Sequence, residues 1–376
     1  MKTLTLSLAT FTSSITFASA ATKVCQNYKI PLTVTSENFV YDMPYFADNY
    51  DVVDWISNFG SRTASVDYHP FSNTKQNQTA SYTISATFCT PKDQEAAYKD
   101  TVLFATHGLN FDNRYWASEI QPDNYSFVDY AINRGYSIFY YDRLGVGAST
   151  KVSGYTNQLP IQIEIATQLI ISIKSSKYTG SLGKPDSLVV VGHSFGSAIS
   201  AGTVAANPEI CDALILTGFS YNGSNPVGFV EAAQLRIASS EDPRWRKLDT
   251  GYLLPVDIYS NVNTTLRFFK KPDYDLNVVR YADSIKQPLG LVEVLTGASS
   301  NLSPSEFTGK AMVIAGQYDF IFCTGQCDDV IEYPAANVFA KAKDFKAISY
   351  PGAGHGLNFA LNATGAYAEI FDFLEK

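Results

Sequence analysis

After its first twenty residues the sequence has no apolar run long enough to cross a bilayer, and its end, FDFLEK, carries neither a retention signal nor a lipid-anchor motif. Stable membrane insertion is therefore not expected. Charge is scarce: 17% of the 376 residues are charged against 45% apolar, which argues against disorder and for one large core with room for an inserted subdomain. The charge present leans acidic, net −8 at pH 7, and repels nucleic-acid phosphates and anionic membranes. No glycine-rich turn ends in the GK[ST] of a phosphate-binding loop. Cys323 and Cys327 lack the companion histidine or cysteine pair that would make their spacing a zinc site. No metal or cofactor is expected, and there is no internal repeat or low-complexity tract.

The first twenty residues, MKTLTLSLATFTSSITFASA, combine one positive charge at Lys2, an apolar stretch thinned by Ser and Thr, and a small-residue end. That pattern predicts a secretory signal peptide over 1–20, cleaved after Ala20, and an extracellular protein. Loss of Lys2 moves the formal charge from −8 to −9. Asn77, Asn124, Asn222, Asn263, Asn301 and Asn362 each open an N-x-S/T sequon, which suits a glycoprotein. Five cysteines in an oxidising compartment allow two bridges and one free thiol. Cys25 precedes YKIPLTVTS and Cys89 closes ASYTISATF, two alternating runs that would pair antiparallel and bring these cysteines together. Cys323 and Cys327 would close a small loop, and Cys211 is left as a buried apolar residue.

From Thr101 onward the chain alternates short apolar runs with amphipathic segments. TVLFATHG, SIFYYDRLG, SLVVVGHS, DALILTGF and AMVIAGQYD read as strands buried on both faces of a mostly parallel sheet. Helical segments lie between them, so the fold class is α/β, with sites expected at the carboxyl ends of the strands. The alternation breaks over 219–305, too long for a simple crossover, and an inserted helical cap is expected there. The core is then 21–218 and 306–376. Aromatic residues are thinner in 219–305 than in the whole chain, so composition gives no warrant for an aromatic substrate cage there.

Within SLVVVGHSFGSAIS, Gly192, Ser194 and Gly196 form G-x-S-x-G between a β-branched run and small helix formers, the context of a nucleophile elbow. A serine hydroxyl needs a base to take its proton and an acid to orient that base, here in the order Ser, acid, His. Of the four histidines, His69 precedes the alternation, His107 and His193 lie in turns beside other elements, and His355 stands in the late glycine-rich loop YPGAGHGLNF. His355 is the expected base, and His193 is expected to point elsewhere from the elbow. Asp319 ends AMVIAGQYD, where the orienting acid belongs, while Asp328 and Asp329 read as solvated charges. The backbone N–H groups of Phe195 and of Leu109, in THGLNF, are the expected oxyanion donors, with Asn110 an alternative to Leu109. YDRLGVGAS reads as structural support.

Together HG after one strand, DRLGVGAS after the next, GHSFGS, GQYD and a late GHG resemble the α/β-hydrolase superfamily. YTISATFCTPK, THGLNFDNRYW and YDRLGVGAS are similar to a secreted fungal branch of it, and the likeness runs over residues 24–375. The resemblance implies an eight-stranded type of sheet, a cap inserted before the acid, and Ser194, Asp319 and His355 as the triad. A serine at the elbow departs from the aspartate nucleophile of epoxide hydrolases and dehalogenases, and an HGGG run of the hormone-sensitive-lipase type is missing. The expected activity is cleavage of a small-molecule carboxylic ester or lactone through an acyl-enzyme. An acyltransferase or amidase would keep the same triad, and a catalytically silent binding module would keep only the fold.

Overall fold

The structure, a computed structural model, describes residues 22–60, 68–93, 95–223, 225–260 and 273–376. The expected signal peptide over 1–20 and the sequon at Asn263 lie outside the described residues. Eleven strands are described. They are β1 Lys23–Asn38, β2 Gln76–Pro91, β3 Thr101–Thr106, β4 Ser137–Tyr141, β5 Ser187–His193, β6 Ala213–Thr217, β7 Leu235–Ile237, β8 Tyr252–Pro255, β9 Leu289–Gly290, β10 Lys310–Gly316 and β11 Asp344–Tyr350.

Eight of them form the central sheet in the order β1-β2-β4-β3-β5-β6-β10-β11. From β4 to β11 all pairings are parallel, and β2 and β1 add an antiparallel hairpin at one edge. The runs SLVVVGH and KAMVIAG are buried along nearly their whole length because helices cover both faces of the sheet. One face packs Val189, Val191, Ile215 and Met312 against the C-terminal helix Ala363–Leu374. The other packs Val190, Leu214 and Val313 against Leu159–Lys174 and Phe195–Ala206. Successive side chains along a strand thus serve two different cores, as the period of two requires.

In the edge hairpin Cys25 sits directly opposite Cys89, with Cα atoms 4.1 Å apart, and the two form a disulfide. Cys323 and Cys327 form the second, across a turn whose Cα atoms are 5.0 Å apart. Cys211 is buried and free, and burial pushes its thiol up to about 12, so it stays a neutral, apolar group.

Between β6 and β10 lies a mixed subdomain rather than a purely helical one. It carries the helices Pro226–Ala233, Leu276–Ser284 and Leu291–Leu295 together with a small antiparallel sheet of β7, β8 and β9. These strands span two to four residues, too few for alternation to announce them. The subdomain also borrows from the N-terminal part of the chain: the helix Asn49–Gly60 places Val52 and Trp55 in one apolar cluster with Val230, Leu235, Leu253 and Leu289. An amphipathic helix without an apolar neighbour of its own takes its partner wherever the fold supplies one.

Candidate active site

Ser194 stands between β5 and the helix Phe195–Ala206 with φ 56° and ψ −119°, a conformation that costs an ordinary side chain about 1–3 kcal/mol. Its N–H donates to the carbonyl of Thr217 on β6 at 2.9 Å, which fixes the turn to the neighbouring strand. The two glycines of the motif are required by close approach. A Cβ at Gly192 would lie 2.5 Å from the carbonyl oxygen of Gly196, and one at Gly196 would lie 2.1 Å from that of Thr106. Strand and helix can cross at this angle only without those side chains.

The first N–H groups of the helix have no intrahelical acceptor by construction, and Phe195 supplies one of them beside the serine. Opposite, the turn after β3 brings Gly108 so close that a Cβ there would be 3.0 Å from Cβ of Ser194. Leu109 follows it and lines the same cavity as Ser194 and Phe195. His107 holds the turn from behind. Its Nδ1 donates to the carbonyl of Gly108 at 2.8 Å and its Nε2 accepts the backbone N–H of Arg143 at 3.1 Å. Burial, and then the Arg143 charge, press its pKa well below the usual histidine range, so it is a neutral structural imidazole. Asn110 takes a left-handed conformation at φ 66°, and its carbonyl accepts the N–H of Gln287 from the cap at 2.9 Å.

Asp319 follows β10 and caps the short helix Phe320–Cys323. Its Oδ1 accepts the N–H groups of Ile321 and Phe322 at 2.9 and 3.0 Å, and its Oδ2 accepts Nδ1 of His355 at 2.7 Å. Both side chains are almost completely buried. The carboxylate therefore has three donors in fixed directions, and its bond to Nδ1 places the imidazole proton there. Asp328 remains solvent-accessible and is also hydrogen-bonded: it accepts from Ser349 and from Gln317 at 2.8 Å, and these bonds hold its carboxyl below the usual range.

His193 does not point away from the site. Its ring centroid lies 4.9 Å from that of His355, it stacks on Tyr115 at 4.3 Å, and it lines the cavity. Nδ1 meets Thr217 Oγ1 at 3.1 Å, while that hydroxyl donates to the Gly192 carbonyl at 2.9 Å, so Nδ1 carries a proton. Burial, then repulsion by any charge on His355 and His107, keeps it neutral. A buried imidazole at the end of a strand has no sequence signature that separates it from a solvent-facing one.

Ser194, His355, Leu109 and Phe195 open onto one cavity of about 420 Å³, near the lower end of small-molecule pocket sizes. Its walls carry aromatic residues for which composition gave no warrant: Phe219, Tyr221 and Phe229 come from the cap region, Phe59 from the N-terminal helix, Phe111 and Phe322 from the core. Among the described lining residues there is no lysine or arginine, and the one carboxylate, Glu293, is ion-paired to Arg143, with both side chains fully buried. The sequon residues Asn77, Asn124, Asn222, Asn301 and Asn362 are all exposed, and none of them lines this cavity.

The alpha/beta hydrolase family model matches residues 102–370, and the chain belongs to that family. Among solved structures, a hydrolase from Pseudomonas aeruginosa PA01 is 14% identical with a TM-score of 0.50, over 78% of this chain and 95% of that one. A lipase-esterase related protein from Clostridium acetobutylicum ATCC 824 is 13% identical at a TM-score of 0.48, over 73% and 94%. The enol-lactonase from Burkholderia xenovorans LB400 is 13% identical at 0.49, over 78% and 97%. The likeness to the Pseudomonas structure, at 14% identity, speaks of the fold alone. No curated protein matches the sequence.

Proposed function

We propose that this alpha/beta hydrolase is a secreted serine hydrolase that cleaves carboxylic esters or lactones of small, neutral, largely apolar molecules. The observation that carries the reading is the 2.7 Å bond between Asp319 and Nδ1 of His355, on a cavity shared with a serine held in elbow geometry. In this reaction Nε2 of His355 takes the Ser194 proton as Oγ adds to the carbonyl carbon. The oxyanion formed meets the N–H groups of Leu109 and Phe195. As the tetrahedral adduct collapses, the imidazolium gives its proton to the leaving alkoxide and an acyl-Ser194 ester remains. Water then repeats the sequence with His355 as base, releasing the acid. Asp319 orients the ring and stabilises the imidazolium.

The described lining supports a neutral substrate: a substrate carboxylate would enter a largely apolar cavity with no lysine or arginine among its described lining residues, an unfavourable transfer. The aromatic walls instead favour an apolar acyl or alcohol group. Acyl transfer to an alcohol or amine would use the same acyl-enzyme, and product analysis with and without such an acceptor separates it from hydrolysis.

Replacing Ser194 by Ala should lower turnover of a p-nitrophenyl ester series by about 10⁴ to 10⁶ with the fold intact. Near-normal turnover would refute the nucleophile. A protein in which Ser194 also fails to react with a phosphonate would be a binding module instead. For secretion, the extracellular product should begin at Ala21 and lose mass in N-glycan steps, up to six, on enzymatic deglycosylation. An intact N-terminus without glycans would remove the extracellular assignment.

A further inference from the structure

The turn YDRLGVGAS follows β4 and supplies Arg143, whose side chain is entirely buried. An arginine placed there is costly unless its charge and donors are satisfied, and its partners define what it does. Nη1 pairs with Oε1 of Glu293 on the cap helix Leu291–Leu295, and Nη2 donates to the carbonyl of Gly108 at 3.3 Å. The guanidinium also lies over the Phe195 ring, 5.0 Å from its centroid. Glu293 is fully engaged: Oε1 also accepts Nε2 of Gln162 at 3.2 Å, and Oε2 accepts the N–H of Gly290 at 3.0 Å.

The Gly108 carbonyl is not an arbitrary acceptor. It belongs to the same peptide unit as the N–H of Leu109, and in a planar trans peptide the two point in opposite directions. Whatever grips the carbonyl therefore sets the direction of the N–H. His107 grips it at 2.8 Å and Arg143 at 3.3 Å. A charged donor on the carbonyl also polarises the peptide and strengthens its N–H as a donor. The second candidate oxyanion donor, Phe195, has its side chain under the same guanidinium.

We propose that Arg143, anchored by Glu293 of the cap, is a positioning residue for the oxyanion hole. It touches neither substrate nor the reacting atoms. It fixes the plane of the Gly108–Leu109 peptide and packs on Phe195, so that both N–H groups meet the oxyanion rather than the ground-state carbonyl. This rests on the serine-hydrolase reading above.

The test uses the full secreted protein and three readouts: kcat and KM for a p-nitrophenyl ester, and Ki for an aryl trifluoromethyl ketone, which forms a tetrahedral oxyanion on an active serine. The paired variant Arg143→Met/Glu293→Leu removes both charges and leaves no unpaired ion. It should fold, keep KM within about threefold, lose about 10²-fold in kcat and bind the ketone about 10²-fold more weakly, the loss typical of one oxyanion donor. The pH dependence should not move, because the Asp319–His355 pair is untouched. A folded paired variant with kcat and Ki within about threefold of wild type would overturn the proposal. So would a loss confined to KM, which a purely structural role in shaping the pocket would give.

Should that variant fail to fold, Arg143→Lys decides. One ammonium can keep Glu293 but has no second nitrogen for Gly108, so kcat should fall about tenfold at constant KM; a normal kcat overturns the proposal. Failure of the serine-hydrolase reading is seen separately: wild-type protein would neither turn over the ester nor bind the ketone covalently, and the proposal would fall with it.

Discussion

Replacing Asp319 by Asn changes one atom of the site and leaves its shape. In the wild type Oδ1 accepts two backbone N–H groups at 2.9 and 3.0 Å, and Oδ2 faces Nδ1 of His355 at 2.7 Å. In the Asp319→Asn variant the amide oxygen must take the Oδ1 position, because an NH₂ group there would confront two donors. The NH₂ group therefore faces Nδ1, which can meet it only as an acceptor. The imidazole proton moves to Nε2, and the atom that should take the serine proton is already protonated. With the same helix cap and nearly the same volume, stability should change little. Turnover should fall about 10⁴-fold, equivalent to roughly 5.5 kcal/mol of transition-state stabilisation. The assay is kcat on a p-nitrophenyl ester with the melting temperature measured in parallel, and ¹⁵N spectra of the histidine reporting the tautomer. A folded variant within about tenfold of wild-type turnover would refute Asp319 as the orienting acid, and an unchanged tautomer would refute the reason given for it.

Two further outcomes follow from the same packing. Gly218 has φ 54°, and a Cβ there would lie 2.6 Å from Cε1 of His193 and 3.2 Å from Cε1 of His355. Gly218→Ala should lose about 1–2 kcal/mol from backbone strain alone, plus displacement of both rings, and at least tenfold in turnover; a variant equal to wild type in melting temperature and kcat would show that the two rings are not held as described. Acid should unfold the protein through His107 and His193, which burial holds neutral in the folded state. Below about pH 6.5 the unfolded chain binds protons at these positions that the folded chain does not, so stability falls with pH by up to about 2.7 kcal/mol per unit for the two. Asp142, raised by its own burial, opposes part of this. Urea midpoints that do not move between pH 7 and pH 5 would contradict the buried neutral imidazoles.

The parts of the site that could be read in advance are those that chain order and local geometry impose. A strand, a serine between two glycines and a run of small helix formers allow only one tight crossing, and the same economy places an aspartate after β10 and a histidine in the loop after β11. The expected strands from TVLFAT to AMVIAG lie in a mostly parallel sheet because apolar runs of that length have nowhere else to be buried. What the order of residues does not carry is pairing at a distance. Nothing near Arg143 announces Glu293, 150 positions later, and DRLGVGAS by itself reads as a turn. Nor does GHSFG indicate that His193 rests against His355, since that contact depends on how far the last loop folds back over β5 and β6. Composition of the cap could not report the lining for the same reason. Phe219, Tyr221 and Phe229 belong to 219–305, but Phe59 arrives from the first helix and Phe111 and Phe322 from the core, so the lining of the cavity is a property of three segments and not of 219–305 alone. Local sterics are written within ten residues of chain, while the cavity walls and the buried ion pair are settled only when the sheet and cap close on one another.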